Sequence, residues 1–133
     1  MTIRSASLTI VTGTLSQTRA FYEAHFDAKA VFDCGWYVVL RLDPSGAGSE
    51  LCLMVPRDDM ITFAGGTFFN LLVDNADEVH ARLVDAGLPM VIALEDHPWG
   101  DRGFGVVDPS GVVVYCYHPI DPAPEFEPYF VRE

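Results

Sequence analysis

The sequence predicts an α+β protein assembled from two βαβββ modules. Three observations lead there. Strand-like alternation and helix-like periodicity occur in the same order twice. A loop separates the two runs near the middle of the chain. An offset of 61 positions lays Ser7 on Phe68 and Leu15 on Ala76 without a gap across the helix. Identities between the halves are nearly absent, so the period repeats and the letters do not. Small repeats of this kind bury together what neither half buries alone.

Residues 3–12 read as the first strand, with Leu8 and Ile10 alternating with Ser7, Thr9 and Val11. Ser16 is the expected N-cap of a helix that sets Tyr22 and Phe26 four apart, with Phe21 and His25 beside them. Strands over 29–33, 36–42 and 50–55 follow. Cys34-Gly35 and the turn-rich Asp43-Pro44-Ser45-Gly46-Ala47-Gly48 separate them. Residues 56–66 are a loop. The second module opens with a strand over 67–73. Its helix, from about 75 to 86, is expected to bury Ala76, Val79, Leu83 and Ala86 and to end at Gly87, with Pro89 beyond. Strands over 89–94, 102–107 and 112–118 complete it, the last two joined by Asp108-Pro109-Ser110-Gly111.

One domain over 1–120 is therefore expected, its modules spanning about 3–56 and 66–118, followed by a tail over 121–133. Pro122, Pro124 and Pro128 forbid a regular helix or central strand in the tail. Its Phe126, Tyr129 and Phe130 suggest an extended arm that docks on something.

Half of the 133 residues are hydrophobic and only 20% are charged, which excludes disorder for most of the chain. No apolar run is long enough for a membrane span, and the first residues lack a signal-peptide layout. Nineteen acidic side chains against eight basic ones leave a net charge of −11. Such a field repels nucleic acid and anionic membrane, so neither is an expected partner, and it attracts cationic small molecules. The same charge also serves plain solubility. Cys34, Cys52 and Cys116 are odd in number and lack a CxxC pair. They point to a reducing, cytoplasmic setting and away from a zinc knuckle or a disulfide framework.

Several segments carry a family resemblance. Residues 7–22, with Leu15 and Thr18-x-x-Phe21-Tyr22, resemble the opening of the glyoxalase/bleomycin-resistance/extradiol-dioxygenase proteins, the vicinal oxygen chelate superfamily. His97-Pro98-Trp99-Gly100-Asp101-Arg102-x-Phe104, followed by Asp108-Pro109-Ser110-Gly111, resembles that family's closing signature, and 69–86 the start of its second module. The resemblance implies two modules forming curved mixed sheets around a cavity, commonly completed by a second subunit, so a homodimer is expected. Independently, a strongly curved four-stranded sheet leaves its concave side unfilled unless a second sheet or a ligand occupies it.

Enzymes of the family hold a divalent metal on the first strand and near the last strand of each module. Carried over residue by residue, those positions are Ser7, Glu50, Phe68 and Tyr115. One carboxylate with a serine, a phenylalanine and a tyrosine is not a donor set for a catalytic divalent ion, and placing Cys52 where Glu50 stands changes nothing. His25, His80, His97 and His118 read as solvated or capping residues. No metal, other cofactor or catalytic residue is expected at the family site.

Strand alternation assigns a cavity face of Ser7, Thr9 and Val11, then Glu50, Cys52 and Met54, then Phe68, Asn70 and Leu72, then Val113, Tyr115 and Tyr117. The candidate ligand-binding residues are Ser7, Trp36, Glu50, Cys52, Met54, Phe68, Asn70, Trp99 and Tyr115. They suit a flat aromatic or cationic organic molecule, stacked on rings and oriented by Asn70 or Glu50. The same aromatics also fit an ordinary core, and Trp99 equally fits a plug for its own loop. Asp96 and Asp101 flank Trp99 and make the rim negative. Glu50, if buried among apolar neighbours, needs a cationic ligand, Arg41 or Arg102, or water.

The function these features imply is a metal-free drug- or natural-product-binding protein of the bleomycin-resistance type, conferring antibiotic resistance by sequestration. The alternative is a lyase or isomerase, with relocated metal ligands or with Glu50 as base and Tyr115 as acid. Thiol transfer to fosfomycin and extradiol ring cleavage are disfavoured by Ser7, Phe68 and Tyr115.

Overall fold

Alternation and periodicity reappear as regular structure in a computed structural model, which describes residues 2–45 and 48–131. Gly46 and Ala47 of the expected turn, Met1, and Arg132 and Glu133 of the tail lie outside the described residues. The first module runs β1 (Ala6–Val11), α1 (Leu15–Phe26), β2 (Lys29–Asp33), β3 (Tyr37–Arg41) and β4 (Ser49–Met54). The second runs β5 (Phe68–Leu72), α2 (Ala76–Asp85), β6 (Ile92–His97), β7 (Asp101–Val107) and β8 (Val113–Pro119). A short 3-10 helix, Pro124–Tyr129, follows.

Each module makes one four-stranded mixed sheet, in the orders β1-β4-β3-β2 and β5-β8-β7-β6. In both, the first strand pairs parallel with the last and the remaining pairs are antiparallel. The chain divides into two compact units: the first module with the Asp108–Gly111 turn, and the second module with the tail.

In the first unit, period-2 alternation separates the faces of the sheet. Ile10, Val38, Leu40, Leu51 and Leu53 are buried together with Phe21 and Tyr22 of α1. Each fully buried leucine contributes about 1.5–3 kcal/mol of transfer free energy. The opposite face carries the pairs Ser7–Glu50, Thr9–Cys52 and Val11–Met54, with Arg41, Val39 and Tyr37 next in register. The Asp108–Gly111 turn is tied down by polar bonds. Tyr22 donates its hydroxyl to Asp108 Oδ2 at 2.6 Å, the Ser110 N–H donates to Asp108 Oδ1 at 2.8 Å, and the Thr18 and Ser110 hydroxyls share a bond of 2.6 Å.

In the second unit, Phe104, Val106, Val112, Val114 and Cys116 are buried with Ala76 and Leu83 of α2. Asn75 caps α2, its side chain accepting the Glu78 N–H at 3.2 Å. His118 Nδ1 accepts the Ala76 N–H at 2.9 Å, so this histidine satisfies a helix terminus.

Several local expectations are corrected. Ser16 is not the cap of α1. The helix already begins at Leu15, and Thr14 at the cap position turns its hydroxyl to Thr12 and Thr18. Ala86 is exposed because the helix has ended there, and Val79 is only half-buried. The strand expected over 89–94 instead spans Ile92–His97, so His97 belongs to β6 and not to the loop before Trp99. The tail is not fully extended. Pro124 opens the 3-10 helix, where its missing N–H leaves no bond unmade. Cys34 is exposed, Cys52 and Cys116 are buried, and all three are free thiols. Among the described residues, no helix is long and apolar enough to cross a membrane.

Candidate functional site

The site is built on the β6–β7 hairpin. His97 and Asp101 pair across it, and Pro98-Trp99-Gly100 forms its three-residue connection. Gly100 adopts φ +113°, where a side chain is strained, and its N–H returns to the His97 carbonyl at 3.0 Å. The tail then lies on this turn. Ile120 donates its N–H to the Gly100 carbonyl at 2.9 Å, Ala123 to the Pro98 carbonyl at 2.7 Å, and the Phe126 ring meets Trp99 edge-on at 6.4 Å.

The hairpin, β5 and β8 enclose a hollow of about 420 Å³ lined by Phe68, Asn70, Ile92, His97, Trp99, Asp101 and Tyr115. A bulge between Ile92 and Glu95 explains why an even-numbered and an odd-numbered residue of β6 both reach it. Two glycines of β7 make room for its walls. A Cβ at Gly103 would lie 2.6 Å from the Tyr115 hydroxyl, and one at Gly105 would lie 3.0 Å from Ile92 Cδ1. Phe68 and Trp99 are about half exposed, so the hollow opens to solvent.

Its polar side is one network. Asp101 Oδ1 accepts the Tyr115 hydroxyl at 2.7 Å and stands 2.7 Å from His97 Nδ1, while Oδ2 accepts the Trp99 indole N–H at 3.1 Å. His97 and Trp99 stack, and Tyr115 stacks on Tyr117 with centroids 5.8 Å apart. Burial first, and then the hydrogen bond to Asp101, hold the Tyr115 phenol well above its ordinary value, so it is protonated at neutral pH.

Of the candidate residues, Phe68, Asn70, Trp99 and Tyr115 line this hollow. Ser7, Trp36, Glu50, Cys52 and Met54 belong to the first unit and are not among its lining residues. There, Ser7 is exposed opposite Glu50, Cys52 is buried opposite Thr9, and Met54 is half-buried opposite Val11. Tyr37 and Thr9 share a hydroxyl bond of 2.8 Å on the same face. Trp36 is exposed, with the Arg57 guanidinium 4.2 Å from its ring centroid.

Of the partners open to Glu50, the structure gives it Arg41. Its side chain keeps about a third of its surface and lies 3.9 Å from Arg41, so it is neither deeply buried nor isolated. Arg102, the other expected partner, is bound to Asp77 and Asp96 at 2.8 and 3.0 Å. His97, Asp101 and Ile92 were not among the candidates. His97 and Asp101 had a sequence signal in the spacing His97-x-Trp99-x-Asp101, with Asp101 already at the expected rim, whereas Ile92 had none.

The residues at the family's metal positions do not fit a divalent ion. Phe68 has no donor atom, and Tyr115 offers a protonated phenol already bonded to Asp101. Ser7 and Glu50 supply one neutral hydroxyl and a carboxylate beside an arginine. Among the described residues, no group of three His, Cys, Asp or Glu side chains is placed to hold a metal.

The family model of the glyoxalase/bleomycin resistance protein/dioxygenase superfamily matches residues 4–115. The chain belongs to that superfamily. No curated protein matches it by sequence. Solved structures of similar fold include TnmS3, an antibiotic binding protein from a Streptomyces species, at 24% identity and TM-score 0.71, covering 90% of this chain and 98% of that one. TioX from a Micromonospora species is similar at 18% identity and TM-score 0.70, covering 87% and 98%. A lactoylglutathione lyase from Agrobacterium tumefaciens is similar at 21% identity and TM-score 0.69, covering 88% and 92%. This superfamily member thus shares its fold with both an antibiotic-binding protein and a lyase.

Proposed function

We propose that this superfamily member binds a flat aromatic small molecule, of drug or natural-product type, in the hollow of its second unit and acts by holding it without turning it over. The observation that carries the reading is the wall set itself. Phe68 and Tyr115, at the family's metal positions, give ring faces where a catalytic member needs donor atoms, and Trp99 and Ile92 add apolar surface. A volume of about 420 Å³ falls in the range of small-molecule sites. The fold shared with TnmS3, an antibiotic binding protein, is in keeping with it. The acidic balance of the chain favours a neutral or cationic ligand over an anionic one.

The lyase or isomerase reading needs a base. Glu50 beside Arg41 at 3.9 Å is not the lone carboxylate in an apolar pocket that would be tuned for proton abstraction. A homodimer in a cytoplasmic setting completes the proposal. The exposed Leu8 and Leu72 on the first strands of the modules favour a partner surface, and the free thiols favour a reducing compartment.

Isothermal titration of the purified protein against planar aromatic antibiotics, with chelator present, tests the binding claim. Micromolar or tighter binding by one of them supports it, and uniformly millimolar or weaker binding overturns it.

A further inference from the structure

The hydrogen atoms of the network on Asp101 can be counted, and the count determines what the hollow can recognise. The indole N–H of Trp99 is donor-only, and it is directed at Oδ2. The Tyr115 proton goes to Oδ1, and the Tyr115 oxygen also stands 3.0 Å from His97 Nδ1, where it can only accept. His97 Nδ1 stands 2.7 Å from the same carboxylate oxygen, a distance at which two lone pairs would repel, so Nδ1 carries the hydrogen and donates it. Three donors that face the hollow are thereby turned onto one carboxylate.

What remains for a ligand is the reverse of a usual anion site. In this tautomer His97 has only Nε2 left, and in the neutral ring Nε2 is an acceptor. Tyr115 keeps oxygen lone pairs but no free proton. Asp101 is itself an acceptor. Asn70, exposed on β5 and paired in register with Tyr115, is the single lining side chain with an uncommitted donor. The flanking walls are the ring faces of Trp99, Tyr115 and Phe68, which also favour positive over negative charge.

We infer that the hollow selects aromatic ligands carrying a hydrogen-bond donor, a phenolic O–H or an amine N–H, at the edge facing Asp101, His97 and Tyr115, and rejects ligands whose polar edge is acceptor-only or anionic. The inference rests on the proposed binding function and names the ligand chemistry within it. Rejection of an acceptor follows from leaving site acceptors facing ligand acceptors with no hydrogen between them, a mismatch that discriminates more strongly than a missing methylene does.

Four naphthalenes of one shape test it by titration: naphthalene, 2-naphthol, 2-methoxynaphthalene and 2-naphthoate. The expected result is 2-naphthol at least about tenfold tighter than 2-methoxynaphthalene, with 2-naphthoate weakest. The two neutral compounds decide the matter, because the overall charge of the chain treats them alike. Asp101→Asn replaces one acceptor oxygen by an N–H₂ donor and lets His97 Nδ1 accept, so the ratio of 2-naphthol to 2-methoxynaphthalene affinities is expected to fall toward one. Naphthalene binding with 2-methoxynaphthalene equal to or tighter than 2-naphthol overturns the donor rule and leaves the binding function standing. Failure of all four compounds to bind overturns both.

Discussion

His97 and Trp99 lie face to face, their ring centroids 4.6 Å apart and their planes within 3° of parallel. The arrangement joins the two halves of the site. Trp99 stands on a three-residue turn, and connections are in general more mobile than the strands they join. The stacked imidazole, the Asp101 bond to its indole nitrogen and the Phe126 ring, edge-on at 6.4 Å, hold it in place.

The tail should therefore matter to affinity more than to folding. Residues beyond 120 lie outside the stretch matched by the family model, and they pack on the Pro98–Gly100 turn. Phe126→Ala should weaken binding of a planar aromatic ligand several-fold and red-shift Trp99 emission, with less than about 1 kcal/mol lost in urea unfolding. Phe126→Tyr should restore both. An unchanged affinity would show that the turn holds Trp99 by itself.

Gly103→Ala should damage the hollow directly. The added methyl would sit 2.6 Å from the Tyr115 hydroxyl and 2.8 Å from the Cys116 carbonyl oxygen, and the carbonyl belongs to the paired backbone and cannot turn aside. A loss of about 1–3 kcal/mol in stability is expected, as for overpacked cores. Ligand affinity should fall along with it, since Tyr115 must leave Asp101. Thermal unfolding and titration of the same sample check both.

Tyr22→Phe probes the anchoring of the Asp108–Gly111 turn. The Tyr22 hydroxyl donates to Asp108 Oδ2 at 2.6 Å, and both residues are buried. Removing one donor from a buried carboxylate should cost about 1–3 kcal/mol in urea unfolding. Ligand affinity in the second unit should hardly change.

Alkaline pH should unfold the protein early. Burial pushes the Cys116 thiol up from 9.0 to about 12, and burial with Asp101 pushes the Tyr115 phenol up as well. In both cases the folded state favours the neutral acid, so the full contribution to stability is present below the unfolded values. It is lost as pH rises toward the folded ones, at up to about 1.4 kcal/mol per pH unit for Cys116 and less for the partly exposed Tyr115. Urea midpoints at pH 8, 9.5 and 11 should fall in that order. Cys116→Ala should make the decline shallower above pH 9.

Much of the fold could be read from the letters because strand alternation and helix period were both intact. The pairs Ser7–Glu50 and Asn70–Tyr115 stand in register on the faces that alternation assigned. The site was only half readable, for a physical reason. Alternation assumes two residues per repeat, and the bulge after Ile92 inserts a third, which brings Ile92 and His97 to one face. A strand over 89–94 leaves His97 outside it, whereas Pro98-Trp99-Gly100 is the short turn of a hairpin and keeps His97 in β6. Arg41, Arg102, a ligand and water were all open to Glu50 from the sequence, and the choice of Arg41, with about a third of the carboxylate side chain left exposed, depends on the register of β3 against β4.

The central claim is that the second unit's hollow holds an organic molecule against Trp99 without a metal. Trp36→Phe leaves Trp99 as the remaining one of the two tryptophans, so its emission reports that wall alone. Titrating this variant with a planar aromatic amine or phenol in chelator-treated buffer should give saturable quenching in the micromolar range, unchanged when manganese, nickel or zinc is then added in excess of the chelator. Quenching that requires the added metal, or none up to millimolar ligand, would contradict the account.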